Sequence, residues 1–258
     1  MSNDLEKVDS HIQMPKCVLR NFANEYKSFY YYDVAESKIK RGHPKSLNAQ
    51  NGYYSDRVEH MLKQIVESPL GNILKDIKEN DFSEPIDIPN NFENIAMTYI
   101  HSLIARAPHM YGTIEKHSIF LQFVSSFNET DKHDFAVDTV LEEEKNNSPF
   151  ENYIITMLVN KTEIPLLLPI GGMYSYGDFV CAPISLNRAI ALVKCDSDLC
   201  NKLIDGEQCK VLMVENESVL HQMNRFAIKA EVSHNKQYVV SVDKVLLETY
   251  LKEMQLIK

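Results

Sequence analysis

A chain of 258 residues, 44% hydrophobic and 24% charged, is long enough to bury a sizeable core and has the balance of an ordinary soluble globular protein, which argues against global disorder. Its formal charge of -9, from 36 acidic against 27 basic residues, opposes non-specific adhesion to nucleic acid or anionic membrane. The polar start from Met1 to Ser10 lacks the apolar stretch of a secretory signal, and no run approaches the roughly 20 apolar residues of a membrane span. The cysteines Cys17, Cys181, Cys195, Cys200 and Cys209 are odd in number, with no CxxC pair and no zinc-like spacing, so reduced thiols, a cytoplasmic location and no metal site are expected.

Residues 1–12 read as a flexible segment ahead of one domain covering 13–258. After Pro15, Val18, Leu19 and Phe22 predict a short helix packed on the core, with the proline tolerated at its start. Ser28 to Val34 reads as an aromatic strand, joined through Ala35 to Ser37 to a second strand at Lys38 to Arg41. Asn51-Gly52 marks a turn in the loop Asn48 to Tyr54. Ser55 and Asp56 can cap a helix carrying Val58, Met61, Leu62, Ile65 and Val66, and Pro69 should break or kink it before Leu70, Ile73, Leu74 and Ile77. Asp81 to Asn90 reads as a loop.

From Phe92 to Arg106 the apolar spacing predicts a helix with one broad buried face, ended by Pro108. Further helices are expected from about Met110 into Phe127 and from about Lys132 to Glu144. Tyr153 to Val159, Pro165 to Pro169, Phe179 to Ala182 and Ala189 to Val193 read as strands of one sheet. A loop or short helix at Asp196 to Gly206, a strand at Lys210 to Val214, a helix over Asn216 to Glu231, a strand at Tyr238 to Val242 and a helix over Lys244 to Met254 complete the chain. Strands, then four or five helices, then strands without regular alternation predict an α+β fold with a mostly antiparallel sheet.

Pro15, Lys16, Leu19, Arg20, Asn21 and Phe22, together with Tyr53 and Tyr54, Glu59 and Glu67, and Arg106 with Pro108, resemble the bacterial domain-of-unknown-function family numbered four-two-three-eight. The resemblance extends over most of the chain. Members have a histidine three residues before the proline, whereas His11 is four before Pro15. Many also carry an Asp-Asn-Pro turn where this chain reads Leu168-Pro169-Ile170-Gly171-Gly172, without the aspartate. The family implies no reaction.

A glutamate and an arginine on adjacent inner helix faces could bind a phosphate or position a water, since carboxylates act as bases and guanidinium matches phosphate geometry. Glu59 and Glu67, eight apart, fall near one helix face, and Arg20 and Arg106 could reach it. The catalytic candidates are therefore Arg20, Glu67 and Arg106, with His109 added because His101, His109 and His117 could converge near Pro108. A buried Arg–Glu pair that fixes helix register would carry the same signature. No GxSxG elbow surrounds Ser175, and no phosphate loop, dinucleotide fingerprint or HExxH is present, so no cofactor is expected.

Two functional classes remain open. One is an intracellular bacterial effector in phage defence, acting on nucleic acid or nucleotides through the Arg/Glu/His set. The other is a non-catalytic sensor that binds a protein partner through the aromatic hairpin Tyr30 to Tyr32. Beside those tyrosines, Lys38, Lys40, Arg41 and Lys45 form a basic cluster that could hold single-stranded nucleic acid or merely protect a strand edge.

Overall fold

The computed structural model describes residues 9–79, 91–107, 127–146, 149–206, 209–235 and 237–258. The short strand β1 (Asp9–His11) pairs antiparallel with β4 (Ala49–Asn51). Residues 9–11 thus belong to a two-stranded sheet. Between these strands lie α1 (Lys16–Asn21) and the hairpin β2 (Phe29–Asp33) and β3 (Lys38–Gly42), joined through Ser37 at φ 52°.

Helix α2 (Asp56–Leu62) begins as its sequence dictates, with the Ser55 side chain accepting from the Val58 N–H. Pro69 does not break the helical run in which it sits. A π-helical turn, Lys63–Glu67, leads directly into α3 (Ser68–Glu79), and the Ser68 N–H bonds to the Lys63 carbonyl five residues back. Proline has no N–H to offer the preceding turn and its ring crowds the carbonyl there. Widening the turn by one residue accommodates it without interrupting the helix. Because of that extra residue, the eight residues from Glu59 to Glu67 cover about two turns, which places the two carboxylates on the same side.

Helix α4 (Phe92–Ala105) buries Phe92, Ala96, Tyr99, Ile100 and Leu103, and also His101, Ser102 and Ala105. It is enclosed by the π turn, α3, α5 (Glu129–Asn146) and the strand β5 (Tyr153–Asn160). The helix expected between Met110 and Phe127 and the loop at Asp81 to Asn90 fall almost wholly outside the described residues.

The second half supplies β6 (Leu168–Pro169), β7 (Tyr174–Tyr176), β8 (Phe179–Pro183), β9 (Arg188–Lys194), β10 (Ile204–Asp205) and β11 (Lys210–Val214). Helix α6 (Glu217–Ala230), β12 (Tyr238–Ser241) and α7 (Lys244–Glu253) complete it. Two larger sheets result, in the orders β10-β11-β5-β9-β8-β7 and β3-β2-β12-β6. Within them only β11 and β5 pair in parallel. The fold is α+β and mostly antiparallel, as the sequence predicts. The expectation of one C-terminal sheet is corrected at Leu168–Pro169, which pairs with β12 and so joins the sheet of the N-terminal hairpin. Val239 and Val240, opposite Tyr32 and Tyr31, bring the two ends of the chain together.

A buried amide ties these layers. Asn224 of α6 accepts the Leu167 N–H at 2.9 Å, and donates to the Pro165 carbonyl at 2.9 Å and the Tyr250 hydroxyl at 3.3 Å. It therefore fixes the approach to β6 against α6 and α7. Beyond β6, Gly172 has φ +87°, and a Cβ there would lie 2.5 Å from Leu103 of α4. Only glycine allows both that backbone and that approach. Asn224→Leu is expected to lower unfolding stability by about 2–4 kcal/mol, because it strands a buried N–H and a buried carbonyl. Urea unfolding followed by circular dichroism measures this, and a loss below about 1 kcal/mol would remove the amide from this role.

Candidate functional site

Arg106 follows the last residue of α4, with its amide bonded to the Ser102 carbonyl at 3.1 Å. Its side chain is 1% exposed. So deep a guanidinium needs partners for its five donors, yet among the described residues those it has are few and long. Nη1 lies 3.8 Å from Glu67 Oε1, Nη2 is 3.5 Å from Ser102 Oγ, and Nε has no hydrogen-bond partner. The Ser102 hydroxyl itself donates to the Tyr99 carbonyl at 2.7 Å. Glu67, at the end of the π turn, is about one-third exposed at its side chain and forms the wetter half of the pair.

The segment from His11 to Cys17 adjoins these groups. The His11 Nε2 is 2.9 Å from the Pro44 carbonyl. A carbonyl can only accept, so Nε2 carries the proton, and the neutral ring leaves Nδ1 as its basic atom. Burial pulls the His11 pKa below its ordinary value; Glu67 partly offsets this, while Lys16 and Arg106 add to it. Gln13 is 1% exposed, and neither end of its amide finds a hydrogen-bond partner among the described residues. The Cys17 thiol is pushed up to about 12 by burial, with the Glu67 charge adding to it, which makes it an inert thiol rather than a nucleophile. The Tyr99 hydroxyl contacts Met14 Sδ at 3.5 Å and is raised by burial.

The sequence candidates are therefore partly assembled. Glu67 and Arg106 come together. Arg20 does not join them: it is exposed on α1, because Val18, Leu19 and Asn21 take the inward positions of this short helix. The reach toward the Glu59–Glu67 face that the sequence allows Arg20 is not made here, since its side chain is exposed. His109 and His117 lie outside the described residues. His101 is buried and lowered by desolvation. His11, Gln13 and Cys17 are not among the residues that sequence reasoning selects; the histidine preceding Pro15 is the available signal, and its four-residue offset obscures it.

Two members of the basic cluster, Lys40 and Arg41, are engaged at the hairpin. Lys40 bridges Asp33 at 2.8 Å and Glu36 at 2.7 Å, and Arg41 donates to Ser28 Oγ through Nε and Nη2. Of the tyrosines expected to form a recognition surface, Tyr32 is 2% exposed with its hydroxyl donating to the Leu256 carbonyl. Tyr31 packs edge-on against Tyr238. Ser175 is exposed within a hairpin strand and has no elbow geometry. At the turn Leu168–Gly172, the Gly171 N–H donates to Glu231 Oε2 at 3.0 Å, so a buried carboxylate meets this turn from α6's extension. Among the described residues, no three His, Cys, Asp or Glu side chains gather as metal ligands, and no helix is long and apolar enough to cross a membrane.

The molecule is thus an α+β protein with a buried arginine beside a partly exposed glutamate where its N-terminal segment, the π turn and α4 meet. A family model described as a protein of unknown function (DUF4238) matches residues 13–164, more than half the chain. The chain belongs to that family. Comparison with curated proteins and with solved structures gives no match.

The depressed His11 pKa has a thermodynamic consequence. The unfolded chain titrates near the ordinary 6.5, so as pH falls below that value it binds a proton that the folded state resists, and stability is lost. His101 acts in the same direction. Unfolding free energy is expected to fall between pH 7 and about pH 5, with a smaller fall in His11→Gln. Urea melts at both pH values test this, and an unchanged slope in the variant would exclude His11 as a contributor.

Proposed function

We propose that the protein is a bacterial, cytoplasmic hydrolase that binds a phosphate-bearing substrate, a nucleotide or nucleic acid, at Arg106 and Glu67, and serves as an effector in phage defence. The observation that supports this most directly is that Arg106 is buried with too few partners among the described residues. A guanidinium that only fixed helix register would be expected to have its donors satisfied, because each unsatisfied buried donor costs about 1–3 kcal/mol. A phosphoryl oxygen supplies the strong acceptors that this fork lacks among the described residues.

In this reading Arg106 holds the anion and neutralises charge that develops on its oxygens. Glu67 accepts the proton of an attacking water as the new bond to phosphorus forms, and the leaving oxygen departs with its electron pair and is protonated from solvent. His11, neutral with Nδ1 basic, is a second acceptor beside Glu67. Arg20, being exposed, is left out of this machinery.

The test combines two substitutions that preserve shape with a cellular measurement. Purified protein is offered nucleoside triphosphates and single-stranded oligonucleotides, and binding and hydrolysis are followed separately. Glu67→Gln should keep binding while lowering turnover by about 100-fold or more; Arg106→Lys should weaken binding about tenfold through loss of the planar fork. In bacteria expressing the chain, either substitution should restore phage plating or relieve toxicity. A folded Glu67→Gln protein turning over at the wild-type rate would end this proposal, as would a wild-type protein that neither binds nor converts any of these substrates.

A further inference from the structure

The C-terminal end of α4 borders a cavity of about 630 Å³, within the volume range of small-molecule sites. Leu103, Ile104 and Ala107 form one wall, Phe150, Met173 and Val180 contribute others, and Phe226 and Ala230 of α6 close a third side. Such an apolar lining favours an apolar body. The polar exceptions are few. Tyr174, 3% exposed, has a hydroxyl without a hydrogen-bond partner of ordinary geometry among the described residues; its polar neighbour is the buried Cys181 thiol, a weak one. Lys229 stands at the exposed rim, where its ammonium lies 6.0 Å from the Phe226 ring centroid and no carboxylate of the described residues pairs with it.

The floor is held by the same contacts that order the fold. Gly171 and Ser175 line the cavity, and Gly172 between them touches Leu103 while the Gly171 amide is tied to Glu231. The rim is aromatic: Phe226, 41% exposed, meets Tyr176 edge-on at 5.3 Å. Exposed phenylalanine at a cavity mouth, beside the Lys229 ammonium, gives one apolar and one cationic contact side by side.

We propose that this cavity is a binding site for a small hydrophobic anion, whose apolar body fills the space between α4 and α6 while its carboxylate, sulfonate or phosphate group meets Lys229 at the rim and Tyr174 offers a buried donor. No part of this depends on the chemistry assigned to Arg106 and Glu67. A hydrophobic anion is favoured over a neutral lipid-like molecule because the charged contact sits at the mouth, where a charged group stays solvated as the rest of the ligand is buried.

The test uses the full chain and two dyes of similar shape, 1-anilinonaphthalene-8-sulfonate and its uncharged counterpart N-phenyl-1-naphthylamine. Wild type should bind the sulfonate with a one-to-one stoichiometry and blue-shifted emission. Lys229→Glu, a surface change, should weaken the sulfonate by about tenfold and leave the neutral dye unaffected. Val180→Trp should exclude both dyes, with its thermal melt confirming the fold; Ser175→Trp at the exposed rim replaces it if the core variant does not fold. Sulfonate binding that ignores both the charge reversal and the filled cavity would overturn the site, and so would absence of binding in wild type.

Discussion

The amide of Asn224 governs more of the molecule than its size implies. Helix α6 packs on the six-stranded sheet, while the segment Pro165 to Leu167 leads into the four-stranded one, and a single side chain satisfies the backbone of the second from the first. A hydrophobic residue there could fill space but could not set register, since apolar contacts are non-directional. With that segment fixed, Gly172 reaches Leu103 and the position of α4 is set. The placement of Arg106, one residue past the end of α4, depends on this chain of contacts together with the packing of α4 on the π turn, α3, α5 and β5.

Burying Arg106 works against stability. Total unfolding free energies are typically about 5–15 kcal/mol, so a guanidinium incompletely partnered among the described residues is a substantial fraction of what a domain has to spare. An Arg–Glu pair at 3.8 Å with one end one-third exposed recovers little of the desolvation, because attraction is screened on the glutamate side. Gln13 adds an amide without a partner among the described residues, in the segment that adjoins the same charges. Two such groups, together with a π turn in the helix that carries Glu67, place departures from ideal local structure in the region where the charged side chains meet. Unpaired buried polar groups and π turns of this kind recur at sites that act on ligands.

Much of the fold is legible in the sequence, and the misses have physical causes. Helical spacing identifies α4 and α6 because each buries a wide stripe, and the pairing of Glu67 with Arg106 comes from placing both on neighbouring inner faces. Pro69 misleads, since a missing N–H disfavours an α turn without saying whether the chain will break or widen. Arg20 misleads for another reason: on six residues of helix, Val18, Leu19 and Asn21 already account for the inward side, and Asn21 donates to the Ile184 carbonyl at 3.3 Å. Leu168–Pro169 reads as part of the wrong sheet because two residues carry no periodicity, and their partner β12 is about seventy residues away along the chain. Asn224 has no local signal at all; its partners are 26, 57 and 59 residues distant.

Two chemically different environments border the C-terminal end of α4. Arg106 and Glu67 form one, with the charges of both felt at His11 and Cys17; Leu103, Ile104 and Ala107 line the other, an apolar cavity. The span that defines the family, residues 13–164, contains the whole charged cluster except His11. Most of the cavity's remaining walls, from Gly171 through Val180 and from Phe226 to Ala230, lie beyond it. The charged site is thus built from the part of the chain that the family shares, whereas the shape and charge of the cavity are set largely by the C-terminal sheet and α6. Substitutions in that later part can change what the cavity accepts while leaving Arg106 and Glu67 in place, provided Asn224 and Gly172 continue to hold α4 where it is.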